Sequence, residues 1–422
     1  MLVDTLRADH LGAYGYDRAT SPNIDLLAAE SVQFERAFSV SPWTRTSVVS
    51  MFTSMYPVAH GCQDKEDVAS PQLTMMAEVF KANGFKTIGF SSNIGVSEDF
   101  NVVQGFDDFT YFRREPWFES HPSRTDLGYV PIEGMIPAAI NALDEIGDSP
   151  FFLYFHSLDP HWRYEPPEQF ALWGKKEYVD LYDGEIRHTD HYLQQLLDHL
   201  EKSGKLDETL VIFTSDHGEE FGDHGGLSHG HTLYNELLHV PLLIRHPHFA
   251  QAKRMETVRL IDIFPTLIEV FDLDADSAVI QGRSLLPLLL NQKDPDPEQQ
   301  FVFAEVMYPS KIEGVSLESD GWKLIWTKQS PSTLMKRWNG EISETWAQRE
   351  KTNFWELYNT EQDPSEQRNL AFIRKDVTQR VREEMKKIRR DVAVRLPADD
   401  PTAPAELNAE ALEALRALGY VE

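Results

Sequence analysis

Asp216 and His217 stand at the end of a short apolar run, Val211-Ile212-Phe213-Thr214, with Gly218 directly behind them. A carboxylate next to an imidazole is a ligand pair for a divalent cation, and α/β folds collect ligands at the carboxyl ends of buried strands. An isolated Asp-His after a strand is more often an ordinary polar loop, so the rest of the chain decides. Asp4 follows Leu2-Val3 in the same way, and Phe151-Phe152-Leu153-Tyr154-Phe155-His156 leads into Ser157-Leu158-Asp159-Pro160-His161. Thr44 precedes the run Val48-Val49-Ser50-Met51-Phe52 and suits the N-terminus of a helix. There its hydroxyl would lie beside free N–H groups and the positive end of the helix dipole, which favour an anion. Asp4, Thr44, Asp216 and His217 therefore form a candidate donor set for one divalent metal ion.

The elements that must position these residues alternate along the chain. Strand-like runs at 211–214 and 241–244 alternate with helical stretches at 24–30, 73–83 and 189–203. That pattern implies an α/β fold, a mostly parallel sheet sandwiched by helices. The acidic, proline-bearing stretch 291–299 reads as a linker. Strands are expected beyond it at 301–307 and 322–327, a charged amphipathic helix at 377–390 and a surface helix at 403–418. The expected division is a catalytic domain over 1–290, a small C-terminal α+β subdomain over 300–372 and a helical tail over 373–422.

A chain of 422 residues with 41% hydrophobic content is long enough for two domains and a large core. Its formal net charge of −28 argues against non-specific nucleic-acid binding and against attachment to an anionic membrane surface. An anionic substrate would have to be drawn by the local metal and helix terminus, against the overall field. The single cysteine excludes an intramolecular disulfide and leaves the redox compartment open. Only Met1, Leu2 and Val3 precede Asp4, which is short for a central strand. The expectation is that either the native strand is short or its start has been lost. No signal peptide is read here, and the compartment, cytoplasmic or periplasmic/secreted, stays open.

Asp4-Thr5-Leu6-Arg7-Ala8-Asp9-His10, Ser21-Pro22-Asn23-Ile24-Asp25-Leu26-Leu27-Ala28 and Thr53-Ser54-Met55-Tyr56-Pro57 resemble the opening motifs of the sulfatases, within the alkaline phosphatase superfamily. The resemblance continues through Asp159-Pro160-His161, Thr214-Ser215-Asp216-His217-Gly218, Val240-Pro241-Leu242-Leu243-Ile244-Arg245 and Ile261-Asp262-Ile263-Phe264-Pro265-Thr266-Leu267. Glu356-Leu357-Tyr358-Asn359 resembles the family's second domain. The motifs are ordered and span nearly the whole chain, so an alkaline phosphatase-like fold is implied.

At its centre the chain departs from that family. A sulfatase oxidises the Cys or Ser opening a Cys-x-Pro-Ser-Arg pattern to formylglycine; here that position falls on Thr44. Threonine carries a methyl on its β-carbon and cannot become an aldehyde, so no formylglycine is expected. Thr44 remains a direct nucleophile, its alkoxide favoured by a metal on its oxygen. Where the family's sulfatases more often show Asp-Asn, this chain has Asp216-His217. Imidazole favours manganese or zinc, with calcium as the alternative.

The resemblance also distributes roles. His161 is the expected acid for the leaving oxygen, with the near-neutral pKa of an ordinary histidine. A family lysine falls on Gly230, so the flanking His229 and His231 are the substitutes, with His229 preferred. Two further residues that grip sulfate fall on Ser92 and Ile94; Asn93 is left as an amide donor or a turn residue. Arg45 either replaces a missing family arginine or is solvated. His156 is read as a core or supporting residue, His60 as a loop support, and Trp43, Trp162 and Tyr164 as cleft or packing aromatics. Asp223-His224 is read as a supporting or surface element, with a second metal as the lesser alternative. The expected activity is hydrolysis of a sulfate, phosphate or phosphonate ester on a small molecule, glycan or lipid headgroup. The alternatives are phospho-group transfer to an alcohol and a non-catalytic metal-binding relative. The oligomeric state is open.

Overall fold

The computed structural model describes residues 1–64, 66–113, 117, 128–275, 278–308, 312–328, 355–393 and 412–415. In chain order its first strands are β1 (Leu2–Val3), β2 (Val32–Phe38), β3 (Lys86–Ser91), β4 (Asp108–Tyr111), β5 (Phe151–Ser157) and β6 (Val211–Thr214). They continue with β7 (Glu220–Phe221), β8 (Leu227–Ser228), β9 (His239–Arg245), β10 (Ala252–Arg254) and β11 (Val258–Arg259). All but β7 and β8 join a nine-stranded sheet in the order β10-β2-β9-β6-β1-β5-β3-β4, with β11 also on β2. Only β9 runs against its neighbours, β2 and β6; the other pairings are parallel. β7 and β8 pair as a separate antiparallel ribbon.

Short helical turns aside, the helices are α1 (Pro22–Ala29), α2 (Thr44–Thr53), α3 (Met76–Ala82), α4 (Ile132–Ile146), α5 (Tyr178–Lys202), α6 (Ile263–Phe271) and α7 (Lys375–Val392). Two apolar clusters, one on each side of the sheet, take up their buried faces. Val48, Phe52, Phe80 and Phe264 from α2, α3 and α6 belong to one; Ile24, Leu27, Ile136, Leu193 and Leu196 from α1, α4 and α5 belong to the other. In α4 the buried Ile132, Met135, Ile136, Ala139 and Leu143 follow the 3.6-residue period.

Helix α5 starts eleven residues before the expected 189, because its first turns bury polar groups and mask the periodicity; Asp183, Glu185, His188 and Asp190 are all buried. Asp190 explains one of these positions. Its Oδ1 accepts from the backbone N–H groups of Asn23 and Ile24 at 2.9 and 2.8 Å, capping α1 from another helix.

The second sheet is antiparallel, with β12 (Val302–Tyr308), β13 (Ile312–Ser319), β14 (Trp322–Thr327) and β15 (Trp355–Asn359) in sequential order. The strands expected at 301–307 and 322–327 are β12 and β14. Helix α7, expected as part of a separate tail, instead buries Val377, Val381 and Met385 against Phe303, Leu317, Leu324 and Leu357 of this sheet. Val40, Tyr56 and Ile261 of the larger body enter the same cluster, so the two sheets share an apolar boundary. The 291–299 stretch is no free linker: Asp294 pairs with Arg283 and accepts from Gln300 Nε2 at 2.8 Å. The helix expected at 403–418 lies outside the described residues apart from 412–415, which are helical. No helix among the described residues is long and apolar enough to cross a membrane.

Candidate active site

Strand β1 lies between β5 and β6, with Leu2 in register with His156 on one side and Thr214 on the other. This brings Asp4, His156 and Asp216 to one level at the carboxyl edge of three adjacent strands. All three are fully buried. Helix α2 begins at Thr44, and Thr44 Oγ1 lies 3.1 Å from His217 Nε2. Ser47, one turn on, donates from Oγ to the Asp216 carbonyl at 2.8 Å and ties α2 to that loop. Gly218 allows the chain to turn behind His217, since a Cβ there would meet the Glu236 carbonyl oxygen at 2.0 Å.

The donor set has the chemistry of a cation site. His217 donates from Nδ1 to the Gly218 carbonyl at 2.9 Å, which leaves Nε2 facing inward. That nitrogen lies 3.4 Å from Asp216 Oδ2 and 3.9 Å from Asp4 Oδ1. Both of those oxygens are buried without a hydrogen-bond partner. The other two carboxylate oxygens are engaged: Asp4 Oδ2 accepts from Asn93 Nδ2 at 2.7 Å, and Asp216 Oδ1 from the His217 N–H at 3.0 Å. Orphaned oxygens beside an inward imidazole nitrogen and a hydroxyl fit a divalent cation.

The charges agree. Burial favours the neutral form of Asp4, but His156, His161 and His217 outweigh it and hold the carboxyl below the usual range. Asp216 is pushed up by burial and then by the Asp4 charge facing it. Asp4, His156 and Asp216 also each offer a ligand atom within 4.8 Å of the other two, so candidate ligand groups for a divalent metal are present.

Three buried imidazoles cluster at the site. The His229 ring is 4.5 Å from that of His217 and 4.9 Å from that of His161, centroid to centroid, with Trp43 on it at 5.8 Å. His161 donates from Nδ1 to the Trp162 carbonyl at 2.6 Å. Its expected near-neutral pKa is corrected here: burial, and then His229, push it down to about 4. The free protein thus holds His161 as neutral imidazole at working pH. His229 is pushed well below its ordinary value, by burial and then by His217.

His229 donates from Nδ1 to Glu219 Oε1 at 2.9 Å, while Tyr164 donates to Oε2 at 2.7 Å. Burial pushes Glu219 up to about 7. Sequence reasoning gave Glu219 no role. His156, read as a core or supporting residue, lies against Asp4, with Nε2 3.1 Å from Asp4 Oδ2. Its place at the end of β5, beside β1, was the available signal.

Two expected substrate contacts are engaged elsewhere. Arg45 is buried; it donates from Nε to the Gly95 carbonyl at 3.3 Å and lies over the Phe100 ring at 3.3 Å. Its Nη1 also donates to the Asp67 carbonyl at 3.1 Å, so the guanidinium is directed to backbone carbonyls and the Phe100 ring. His231 lies 3.2 Å from Glu220 Oε2 and donates from Nδ1 to the His229 carbonyl at 2.9 Å. It therefore supports His229 instead of projecting toward Thr44. Asn93 joins the site through Asp4, as a ligand-orienting donor. Arg7 binds Asp9 and Asp223 at 2.7 and 3.0 Å, and Ser50 lies 2.9 Å from His60 Nε2, so both segments brace their loops.

A mostly parallel sheet thus carries a buried cluster of carboxylates, imidazoles and a hydroxyl at its carboxyl edge, where α/β folds collect ligands. A family model described as Sulfatase matches residues 1–273, and one described as N-sulphoglucosamine sulphohydrolase, C-terminal, matches residues 222–333. The chain belongs to the sulfatase family. It is 26% identical over 374 residues to an arylsulfatase of Clostridium perfringens, covering 68% of this chain and 77% of that one. A shorter stretch of 152 residues is 36% identical to the multifunctional alkaline phosphatase superfamily protein PehA of Trinickia caryophylli, covering 34% of this chain and 29% of that protein. In fold, it is similar to the phosphonate monoester hydrolase of Agrobacterium radiobacter, with a TM-score of 0.75 at 19% identity over 93% of this chain and 95% of that one.

Proposed function

We propose that this sulfatase-family hydrolase cleaves a sulfate, phosphate or phosphonate ester by direct attack of Thr44, with phosphoryl or phosphonyl transfer favoured. The observation that carries this reading is Thr44 Oγ1 at a helix N-terminus, 3.1 Å from His217 Nε2 and beside two orphaned carboxylate oxygens. Asp4, Asp216 and His217 are the proposed ligands of one divalent ion, with Thr44 as the fourth and His156 supporting Asp4. When bound, the ion supplies Lewis-acid stabilisation of charge on the nucleophile and the ester. The nitrogen donor favours manganese or zinc over calcium.

Thr44 gives its hydroxyl proton to solvent and forms a bond from Oγ1 to phosphorus or sulfur. The bond to the ester's organic oxygen breaks, and that oxygen takes a proton from charged His161 or His229. Water then attacks the same phosphorus or sulfur and gives one proton back to that histidine, while the bond to Oγ1 breaks and Thr44 takes a proton from solvent. An anionic ester beside His161 opposes the burial that keeps it neutral, so substrate binding itself charges the acid. Glu219 holds His229 by Nδ1 and favours its charged form. Relatives named as an arylsulfatase and an N-acetylglucosamine-6-O-sulfatase support an aryl or sugar ester as the organic part.

The test is turnover of matched aryl sulfate, phosphate, phosphodiester and phosphonate esters by manganese- or zinc-loaded protein, with Thr44→Ala alongside. Loss of at least about a thousandfold in kcat is expected for the variant. Equal turnover by both proteins removes Thr44 as the nucleophile.

A further inference from the structure

A second group of metal-ligating side chains lies behind His161. Asp159 precedes it by two residues, and Glu185 and His188 sit three apart on one face of α5. All three residues are fully buried, and one ligand atom from each lies within 4.8 Å of the other two. Glu133, in the first turn of α4, reaches in from a rim 20% exposed, placing Oε2 2.7 Å from His188 Nε2.

The hydrogen bonds around this group leave specific atoms over. Asp159 accepts from the Ile132 N–H at 2.8 Å and from Ser157 Oγ at 3.1 Å, and Glu185 Oε1 accepts from the Glu165 N–H at 2.9 Å. Glu185 Oε2 and both ring nitrogens of His188 are buried with no hydrogen bond. Glu133 Oε2 and Glu185 Oε2 face the two ring nitrogens at 2.7 and 3.8 Å as ion-pair partners. Three carboxylates thus face one imidazole. Glu-x-x-His on a helix, joined by carboxylates from neighbouring elements, is an arrangement that holds transition metals inside helical bundles.

We propose that Asp159, Glu185 and His188, with Glu133 as the outermost ligand, form a second divalent-cation site distinct from that of Thr44. One nitrogen and three oxygen donors suit zinc or manganese, and four protein ligands make the site closed and structural. Its ion joins α4 and α5 to the Asp159 loop and so steadies His161. The group formed by Glu220, His224 and Glu236 offers no equivalent, because Glu236 Oε1 and the Glu366 carbonyl engage both His224 nitrogens at 2.5 and 3.0 Å.

The test is the metal content of the full chain, by mass spectrometry of the elements, after equilibration with zinc or manganese and removal of loose metal. His188→Gln is expected to carry one ion fewer per chain than wild type. An unchanged count overturns the proposal. Because the criterion is a difference, it stands whether or not the Thr44 site binds metal. If His188→Gln does not fold, Glu133→Gln at the rim takes its place. That variant is expected to weaken retention of one ion by at least about tenfold, and unchanged retention counts against the site.

Discussion

Glu219 separates orientation from contact among the imidazoles. It holds His229 through Nδ1 at 2.9 Å, and burial pushes it up to about 7. The ionised carboxylate accepts that N–H and favours a charged His229, so the wild-type rate should rise through about pH 7 as Glu219 ionises. Glu219→Gln should lose this limb of the pH profile and about ten- to a hundredfold in kcat, with KM nearly unchanged. A profile and rate like the wild type's would reduce Glu219 to packing. The sequence reveals Asp4, Asp216 and His217 because each follows an apolar strand, and Thr44 because it precedes a helical run. Glu219 stays hidden because it lies beyond the strand end, where its direction depends on the β7–β8 ribbon. Arg45 misleads because adjacency to Thr44 on a helix does not put two side chains on one face.

At the scale of elements, α1 depends on a cap that the local sequence does not contain. Ser21 makes no side-chain cap, and Asp190 of α5 supplies it, pushed up to about 6 by burial despite its bonds to Ile24 and Asn23. Asp190→Ala should destabilise the protein by about 1–2 kcal/mol in denaturant titration, and Asp190→Asn by less. Equal losses would mean that the carboxylate's charge matters more than its acceptor oxygen. The same long-range contact explains why the start of α5 is illegible: its buried polar residues serve other elements, so they break the apolar period. The central strands are legible because, buried on both faces, they read as continuous apolar runs.

Across the whole molecule, the boundary between the sheets contains Glu305, which accepts from the Val58 N–H at 3.0 Å and pairs with Arg389 of α7 at 3.4 Å. Burial raises its pKa from 4.5 to about 7. Its folded value lies above its unfolded one, so its stabilising contribution is complete below about pH 4.5 and lost as pH rises through about 7. Glu305→Gln should flatten that part of the stability profile, with the wild type gaining on it toward acid pH by up to about 3 kcal/mol. Parallel profiles would show that the group is better solvated than its burial implies. The net charge of −28 makes a separate prediction. An anionic ester is repelled at long range, so kcat/KM should rise about two- to tenfold as salt screens that field. A fall with added salt would point to a local positive funnel that overrides the net charge.

The central claim is a bond between Thr44 and the transferred group. Protein mixed with an activated aryl phosphonate, quenched in acid within the first turnover and digested, can be read by mass spectrometry at the peptide carrying Thr44. The expected result is the mass of the phosphonyl group on Thr44, absent from Thr44→Ala and from protein stripped of metal. Rapid turnover with Thr44 unmodified at every quench time, and retained in Thr44→Ala, would contradict the account.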